Sequence, residues 1–135
     1  MGKSFKDLDV WQRAFSVSLN IHKTSLSFPQ IEQYALANQM RRASQSICAN
    51  IAEGYSKQNH SKAEFKRFLQ MAMASGNEML VWILYAKEFG YITNELYDEY
   101  EAEYRLSKNT SIIGGMNSSE GNNSFNLKYR IKYYY

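Results

Sequence analysis

The feature that most constrains the fold is one amphipathic run in the first half of the chain. Small and apolar residues recur at Met40, Ala43, Ile47 and Ile51, with spacings of three, four and four. Residues at these spacings lie on one face of an α-helix. Gly54 follows the run, and we expect it to end the helix, because glycine accepts a positive φ at no steric cost. The narrow seam of small side chains predicts close contact with neighbouring helices.

The rest of the chain also reads as long helices. One proline, Pro29, and seven glycines interrupt 135 residues, which favours long helices over many short strands. We predict helices at about 5–26, 30–55, 61–90 and 93–113. Four long helices with short connections predict an all-α fold, an antiparallel up-down-up-down four-helix bundle.

Two helices carry patterns that predict how they pack. In the first helix, apolar residues follow one side and a second group widens the stripe: Leu8, Trp11, Phe15, Leu19 and Leu26, then Val10, Ala14, Val17 and Ile21. In the third helix, Gly76 is unfavourable, since glycine inside a helix costs about 1 kcal/mol relative to alanine. We interpret Gly76 as the point of a close helix crossing.

The chain changes character after residue 116. Residues 117–124 form a polar spacer, and in residues 125–135 apolar residues alternate with Lys128, Arg130 and Lys132. This period of two is typical of a strand. A single strand is marginal, so disorder and addition to the edge of another chain both remain open. We predict a bundle domain at 1–116 and a flexible C-terminal tail at 117–135.

Composition bounds the compartment and the chemistry. Cys48 is the single cysteine, so no disulfide can form within the chain, and we expect a reducing, cytoplasmic location. The N-terminus does not resemble a signal peptide, and no apolar stretch approaches the roughly 20 residues that span a bilayer. His22 and His60 lack the spacing of a metal motif, and no phosphate-binding glycine loop occurs. We expect no membrane span, no enzyme activity, no metal and no cofactor.

Several motifs together carry a family resemblance. They are Phe5-Lys6-Asp7-Leu8, Phe28-Pro29, Gln39-Met40-Arg41-Arg42-Ala43, Asn50-Ile51-Ala52-Glu53-Gly54 and Glu64-Phe65. Over about residues 5–113 the chain resembles the small four-helix-bundle proteins encoded in intervening sequences of bacterial 23S rRNA genes. That family is related to the accessory variability proteins of diversity-generating retroelements.

The resemblance implies an assembly and two kinds of partner. It implies a left-handed bundle that forms a ring, commonly a homopentamer, so we expect a homo-oligomer and favour five copies. The retroelement relatives bind nucleic acid and a reverse transcriptase through a basic surface. RNA or DNA is therefore an expected partner, and a reverse transcriptase is one if the gene lies in a retroelement.

Basic residues supply the candidate nucleic-acid contacts. The set is Arg41, Arg42, Lys57, Lys62, Lys66 and Arg67. Each could instead pair with a carboxylate, and a charged run on a helix is often only its solvated face. Contact with phosphates would attract the nucleic-acid backbone without reading its sequence.

A third set of residues suits contacts between helices or subunits. Asn50 and Glu53 share a side of one helix, and Gly76 belongs to the same set. The acidic residues Glu95, Asp98, Glu99, Glu101 and Glu103 could face the basic residues of a neighbouring subunit. The sequence therefore predicts a non-enzymatic binding or scaffolding ring with a basic face for RNA or DNA. The alternative is a purely structural oligomer whose charged patches close its interfaces.

Overall fold

The computed structural model describes residues 3–105, and these form an all-α domain. Its helices are α1 (Asp9–Leu26), α2 (Leu36–Lys57), α3 (Lys62–Glu88) and α4, which is helical over 94–105. No strand occurs within 3–105. The predicted all-α class with four helices is confirmed. The predicted end of the fourth helix at 113 and the tail at 117–135 lie outside the described residues.

The first helix begins later than predicted. Phe5–Asp7 is a separate 3₁₀ helix, in which Ser4 and Asp7 form a reciprocal capping box. Leu8 then has an extended backbone, with φ −76° and ψ 127°, so the α-helix begins at Asp9 rather than at residue 5.

The second helix also begins later, at Leu36 rather than at residue 30. Gln30–Glu32 forms a short 3₁₀ helix after Pro29, and Ala35 has a non-helical backbone with φ −119° and ψ −106°. The Gln33 side chain donates to the carbonyls of Ser25 and Phe28. Side-chain hydrogen bonds therefore hold this connection in place of a helical turn.

Contacts between helices run in opposite order along the two partners. Arg41 near the start of α2 contacts Ser25 near the end of α1, and further along α2 Cys48 contacts Ser18. The α2–α3 pair behaves alike, because Ser46 contacts Ser75 whereas the later Gly54 lies against Phe65. This order indicates that successive helices pack with opposite directions.

Glycine positions differ from the sequence interpretation. Gly54 lies inside α2, which continues to Lys57, so it does not end the helix. A Cβ at Gly54 would meet Phe65 Cδ1 at 3.0 Å and Phe68 Cβ at 3.1 Å. At Gly76, apart from the backbone of its own helix, no atom of the described residues lies within 4 Å of a Cβ, so the close α2–α3 crossing is at Gly54 and not at Gly76. A role for Gly76 in a contact between subunits stays a prediction. Gly90, with φ 81°, follows the end of α3 as predicted.

The core runs between all four helices. Met40, Ala43, Ile47 and Ile51, the seam found in the sequence, are all buried. α3 contributes five fully buried side chains, and α4 contributes two tyrosines: Phe65, Leu69, Met79, Ile83 and Ala86, then Tyr100 and Tyr104. None of the helices within 3–105 has the length and apolarity that crossing a membrane requires.

The buried face of α1 is only part of the predicted stripe. Val10, Ala14, Val17 and Ile21 are buried, together with Leu8, which precedes the helix. The other side carries Phe15, Leu19 and Leu26, which are 42%, 48% and 60% exposed. Because α1 is apolar on two sides, its sequence pattern does not show which side packs against the other helices.

Polar contacts join α4 to α1. The Arg13 guanidinium donates two hydrogen bonds of 3.0 Å to the two carboxylate oxygens of Glu103. The hydroxyls of Thr24 and Tyr100 are 2.7 Å apart. The sequence groups Glu103 with acidic residues that could face the basic residues of a neighbouring subunit, but Glu103 pairs with Arg13 of its own chain.

Candidate nucleic-acid interface and assembly surfaces

Opposite helix directions gather basic residues at one end of the bundle. The 3₁₀ helix Phe5–Asp7 packs on α1 and α2, so it lies beside the turn that joins α2 to α3. Residues 3–9 and 57–67 together hold six lysines and arginines against three carboxylates. We call the cations Lys3, Lys6, Lys57, Lys62, Lys66 and Arg67 the basic end.

Two cations of the basic end face a carboxylate. Arg67 Nε donates to Glu64 at 2.7 Å, and this contact holds the pKa of the Glu64 carboxyl below its usual range, with a smaller contribution from Lys57. The Arg67 guanidinium also lies 4.6 Å from the centre of the Phe68 ring. Arg67 is therefore partly neutralised and held against the helix.

Other cations of the basic end point to solvent. Lys62 and Lys66, one helical turn apart, are exposed, and neither forms an ion pair within residues 3–105. Lys3 and Lys6 are exposed as well. The helix order brings these two N-terminal lysines to the same end. They were not among the residues predicted from the sequence, because they are some fifty residues away along the chain.

Arg41 and Arg42 lie elsewhere. Arg42 is exposed, and Lys57 lies fifteen residues further along the chain, which is about 22 Å along α2. Arg41 donates to Ser25 Oγ at 2.9 Å, to Gln33 Oε1 at 3.3 Å and to the Gln33 carbonyl at 2.7 Å. Among the described residues Arg41 pairs with no carboxylate, and its hydrogen bonds fix the α1–α2 connection. The candidate set of six is thus divided between two regions.

The opposite end of the bundle is acidic. Residues 22–32 and 87–99 carry two cations against five carboxylates. Glu95, Asp98 and Glu99 are exposed, whereas Glu101 binds Arg105 at 2.8 Å and accepts from Tyr97. The bundle therefore has a basic end and an acidic end.

The Asn50 and Glu53 positions differ in character. Asn50 is half-buried and donates to the Ser46 carbonyl and hydroxyl, and Ser75 Oγ of α3 donates to the same hydroxyl at 3.0 Å. This polar cluster lies between α2 and α3. Glu53 is exposed, and its carboxylate accepts a hydrogen bond from Ser56 at 3.4 Å.

Apolar side chains reach the surface on two helices, α1 and α3, whose backbones are not in close contact. On α1 the exposed group is Phe15, Leu19 and Leu26, which we call the α1 stripe. On α3, Val81 and Leu84 are 48% and 44% exposed. Both helices pack against α2, and the backbones of α1 and α3 do not approach each other closely, since no Cα atoms of the two lie within 8 Å. Single exposed apolar side chains are common on protein surfaces, but each of these patches contains more than one, which is typical of an interaction surface.

Aromatic rings continue from the α1–α2 connection onto α3. Phe28, Tyr91, Phe89, Tyr85 and Trp82 form a chain in which neighbouring ring centres are 5.1, 5.6, 5.7 and 6.2 Å apart. We call these five rings the aromatic face. Tyr85 and Phe89 are about half exposed, whereas Phe28 is buried.

Catalytic or metal-binding geometry is limited in the described part of the chain. No group of three or more His, Cys, Asp or Glu residues within 3–105 could hold a metal ion. A groove of about 570 Å³ lies between α1 and α4, and its ionisable lining includes Arg13 and Glu103, which bind each other. Burial raises the pKa of the Cys48 thiol to about 11, which keeps it protonated and unreactive at neutral pH.

Comparisons with known proteins agree with this fold. A sequence model of the 23S rRNA-intervening sequence protein family matches residues 6–111. A crystal structure of a protein of unknown function from the S23 ribosomal protein family of Bacteroides thetaiotaomicron VPI-5482 is similar, with a TM-score of 0.68 and 24% sequence identity. That match covers 76% of this chain and 91% of the other, and it concerns the fold alone. No curated protein matches.

Proposed function

Since the chain belongs to the 23S rRNA-intervening sequence protein family, we propose that it is a non-enzymatic scaffold, a homo-oligomeric ring whose basic end binds RNA or DNA. The observation that carries the nucleic-acid part is the basic end itself. Four of its lysines, Lys3, Lys6, Lys62 and Lys66, are exposed, and they come from two segments that are distant in sequence. Such a surface suits phosphates, which attract lysines without regard to base sequence.

The apolar surface supports assembly into a ring. A cyclic oligomer with more than two copies needs two different patches on each chain, one for each neighbour. The α1 stripe and the Val81–Leu84 patch of α3 are two such patches, on helices whose backbones are not in close contact. Five copies is the number that the family relationship favours, and each copy would contribute its lysines to one face.

The scaffold has two further expected properties. We place it in the cytoplasm, in keeping with its single, buried, protonated cysteine. A reverse transcriptase is an additional partner if the gene lies in a retroelement.

Charge reversal tests nucleic-acid binding. The variant Lys62→Glu with Lys66→Glu changes two exposed lysines of the basic end. The control Lys23→Glu with Arg42→Glu makes the same net change away from that end. For a short RNA duplex, log Kobs against log salt has a slope of roughly −0.9 for each phosphate contacted. We expect the basic-end variant to flatten this slope by about two and the control to leave it unchanged.

Other outcomes would contradict the proposal. Absence of binding to RNA and DNA at low salt refutes the nucleic-acid function, and equal losses in both double variants refute its location. A purely structural oligomer is the alternative, favoured by the opposite charges of the two ends. In that case the Lys62 and Lys66 reversals lower the oligomeric mass, measured by light scattering, and the wild-type protein binds no nucleic acid.

A further inference from the structure

The aromatic face has exposed rings and no cover among residues 3–105. Tyr85 and Phe89 are 49% and 54% exposed, and they stand one helical turn apart. Trp82, in the preceding turn, is half-buried. Because the Tyr85 and Phe89 rings lie side by side, both their faces and their edges are open to contact with a bound segment.

Carboxylates border the same rings. Glu78 accepts a hydrogen bond from the Trp82 indole N–H at 3.3 Å, and Glu88 is exposed beside Phe89. Lys87 is the one cation between residues 78 and 89, and its ammonium lies 4.6 Å from the centre of the Tyr97 ring, toward α4. The face therefore combines aromatic rings with negative charge, and it fits a segment that is aromatic and cationic.

Residues 125–135 of this chain have that chemistry. The sequence Phe-Asn-Leu-Lys-Tyr-Arg-Ile-Lys-Tyr-Tyr-Tyr holds five aromatic residues and three cations, with no acidic side chain. Aromatic pairs and cations above rings are favourable contacts for such a segment, and carboxylates at the border add charge complementarity.

The length of the chain allows this contact. α4 starts at residue 94, close to Tyr91 of the aromatic face, and the described residues end at 105. Eleven helical steps carry the chain about 17 Å away from the start of α4. Twenty residues separate 105 from 125, and a chain of that length spans at most about 66 Å. The return distance is well within reach.

We propose that residues 125–135 bind the aromatic face of α3, with Lys128, Arg130 and Lys132 directed at Glu78 and Glu88. This contact is separate from the proposed oligomeric assembly and from nucleic-acid binding at the basic end. It covers the rings of Tyr85 and Phe89. It also means that these three cations face carboxylates of this chain and are not part of the nucleic-acid surface.

Quenching of Trp82 tests the contact in the full-length chain. Trp11 and Trp82 are the two tryptophans, so Trp11→Phe leaves one reporter in the aromatic face. In that background we compare acrylamide quenching of the parent with Lys128→Glu, Arg130→Glu and Lys132→Glu combined. We expect Trp82 to be protected in the parent and the protection to be lost in the triple variant. Adding Glu88→Lys to the triple variant should restore part of it.

Three results would overturn the proposal. The first is equal quenching in the parent and the triple variant. The second is protection that disappears on dilution but ignores the tail charges, which would assign the face to another copy of the chain. The third is failure of Glu88→Lys to restore any protection. Far-UV circular dichroism serves as the control that all variants remain helical.

Discussion

Exchanging glycine for alanine at two positions in the helices should change stability in opposite directions. At Gly54 a methyl group would lie 3.0 Å from Phe65 Cδ1 and 3.1 Å from Phe68 Cβ. At Gly76 the same group meets no atom of the described residues within 4 Å. Both glycines lie inside helices and are buried, so the pair isolates the effect of the helix crossing.

The expected size follows from two opposing terms. Alanine is favoured over glycine inside a helix by about 1 kcal/mol. Inserting a methyl group into a packed contact costs typically about 1–3 kcal/mol. Phe65 is 1% exposed and cannot move into solvent, and the Phe68 contact is to Cβ, which is fixed to the backbone. We therefore expect Gly54→Ala to lower the free energy of unfolding by about 1 kcal/mol and Gly76→Ala to raise it by up to about 1 kcal/mol.

Urea unfolding followed by far-UV circular dichroism measures both changes. All samples need the same chain concentration, because oligomerisation makes apparent stability depend on it. A Gly54→Ala protein as stable as Gly76→Ala would refute the assignment of the close α2–α3 crossing to Gly54.

Two further predictions concern buried polar groups. Arg41→Ala removes three hydrogen bonds to Ser25 and Gln33, so the free energy of unfolding should fall by about 1–3 kcal/mol. Arg42→Ala, on the exposed side, should change it by less than about 0.5 kcal/mol, and equal losses would contradict the role of Arg41. The second concerns Cys48, whose pKa rises from 9.0 to about 11 through burial. The unfolded thiol ionises first, so this contribution to stability is present below about pH 9 and is lost as the pH rises toward 11. Over that range the wild-type protein should lose roughly 2 kcal/mol more than Cys48→Ala, and parallel stability curves would contradict this.

The fold was predictable where the sequence pattern is local and periodic. Met40, Ala43, Ile47 and Ile51 repeat at helical spacing, and all four are in the core. Helix starts were less predictable, because they depend on side chains that reach across the connection. Residues 30–35 could have formed a helical turn, but Gln33 and Arg41 hold them in another conformation through hydrogen bonds to the end of α1.

The face of each helix that packs against its neighbours was harder to predict than the helix content. α1 is apolar on two sides, and the sequence cannot tell which side the other helices cover. The structure buries Val10 and Val17 and leaves Leu19 exposed. The close helix crossing was placed at the wrong glycine for a related reason, since only the packed structure shows that Gly54 and not Gly76 lies against side chains of the neighbouring helix.

The candidate site was predictable in part. Lys62 and Lys66 were identified from their helical spacing, and both are exposed at the basic end. Lys3 and Lys6 could not be grouped with them without knowing how the helices reverse. Arg41 carries the charge expected of a phosphate ligand, but its partners, Ser25 and Gln33, are uncharged groups that no charge pattern reveals.

The mass of the full-length protein in solution tests the central claim most directly. Analytical ultracentrifugation at physiological salt should give a closed oligomer, with five times the 15.7 kDa of one chain as the favoured value. Leu19→Glu places a charge in the α1 stripe and should yield a helical monomer, whereas the control Gln45→Glu, on the exposed side of α2, should keep the wild-type mass. A monomeric wild-type protein, or a Leu19→Glu variant of unchanged mass, would contradict a ring built on these apolar patches.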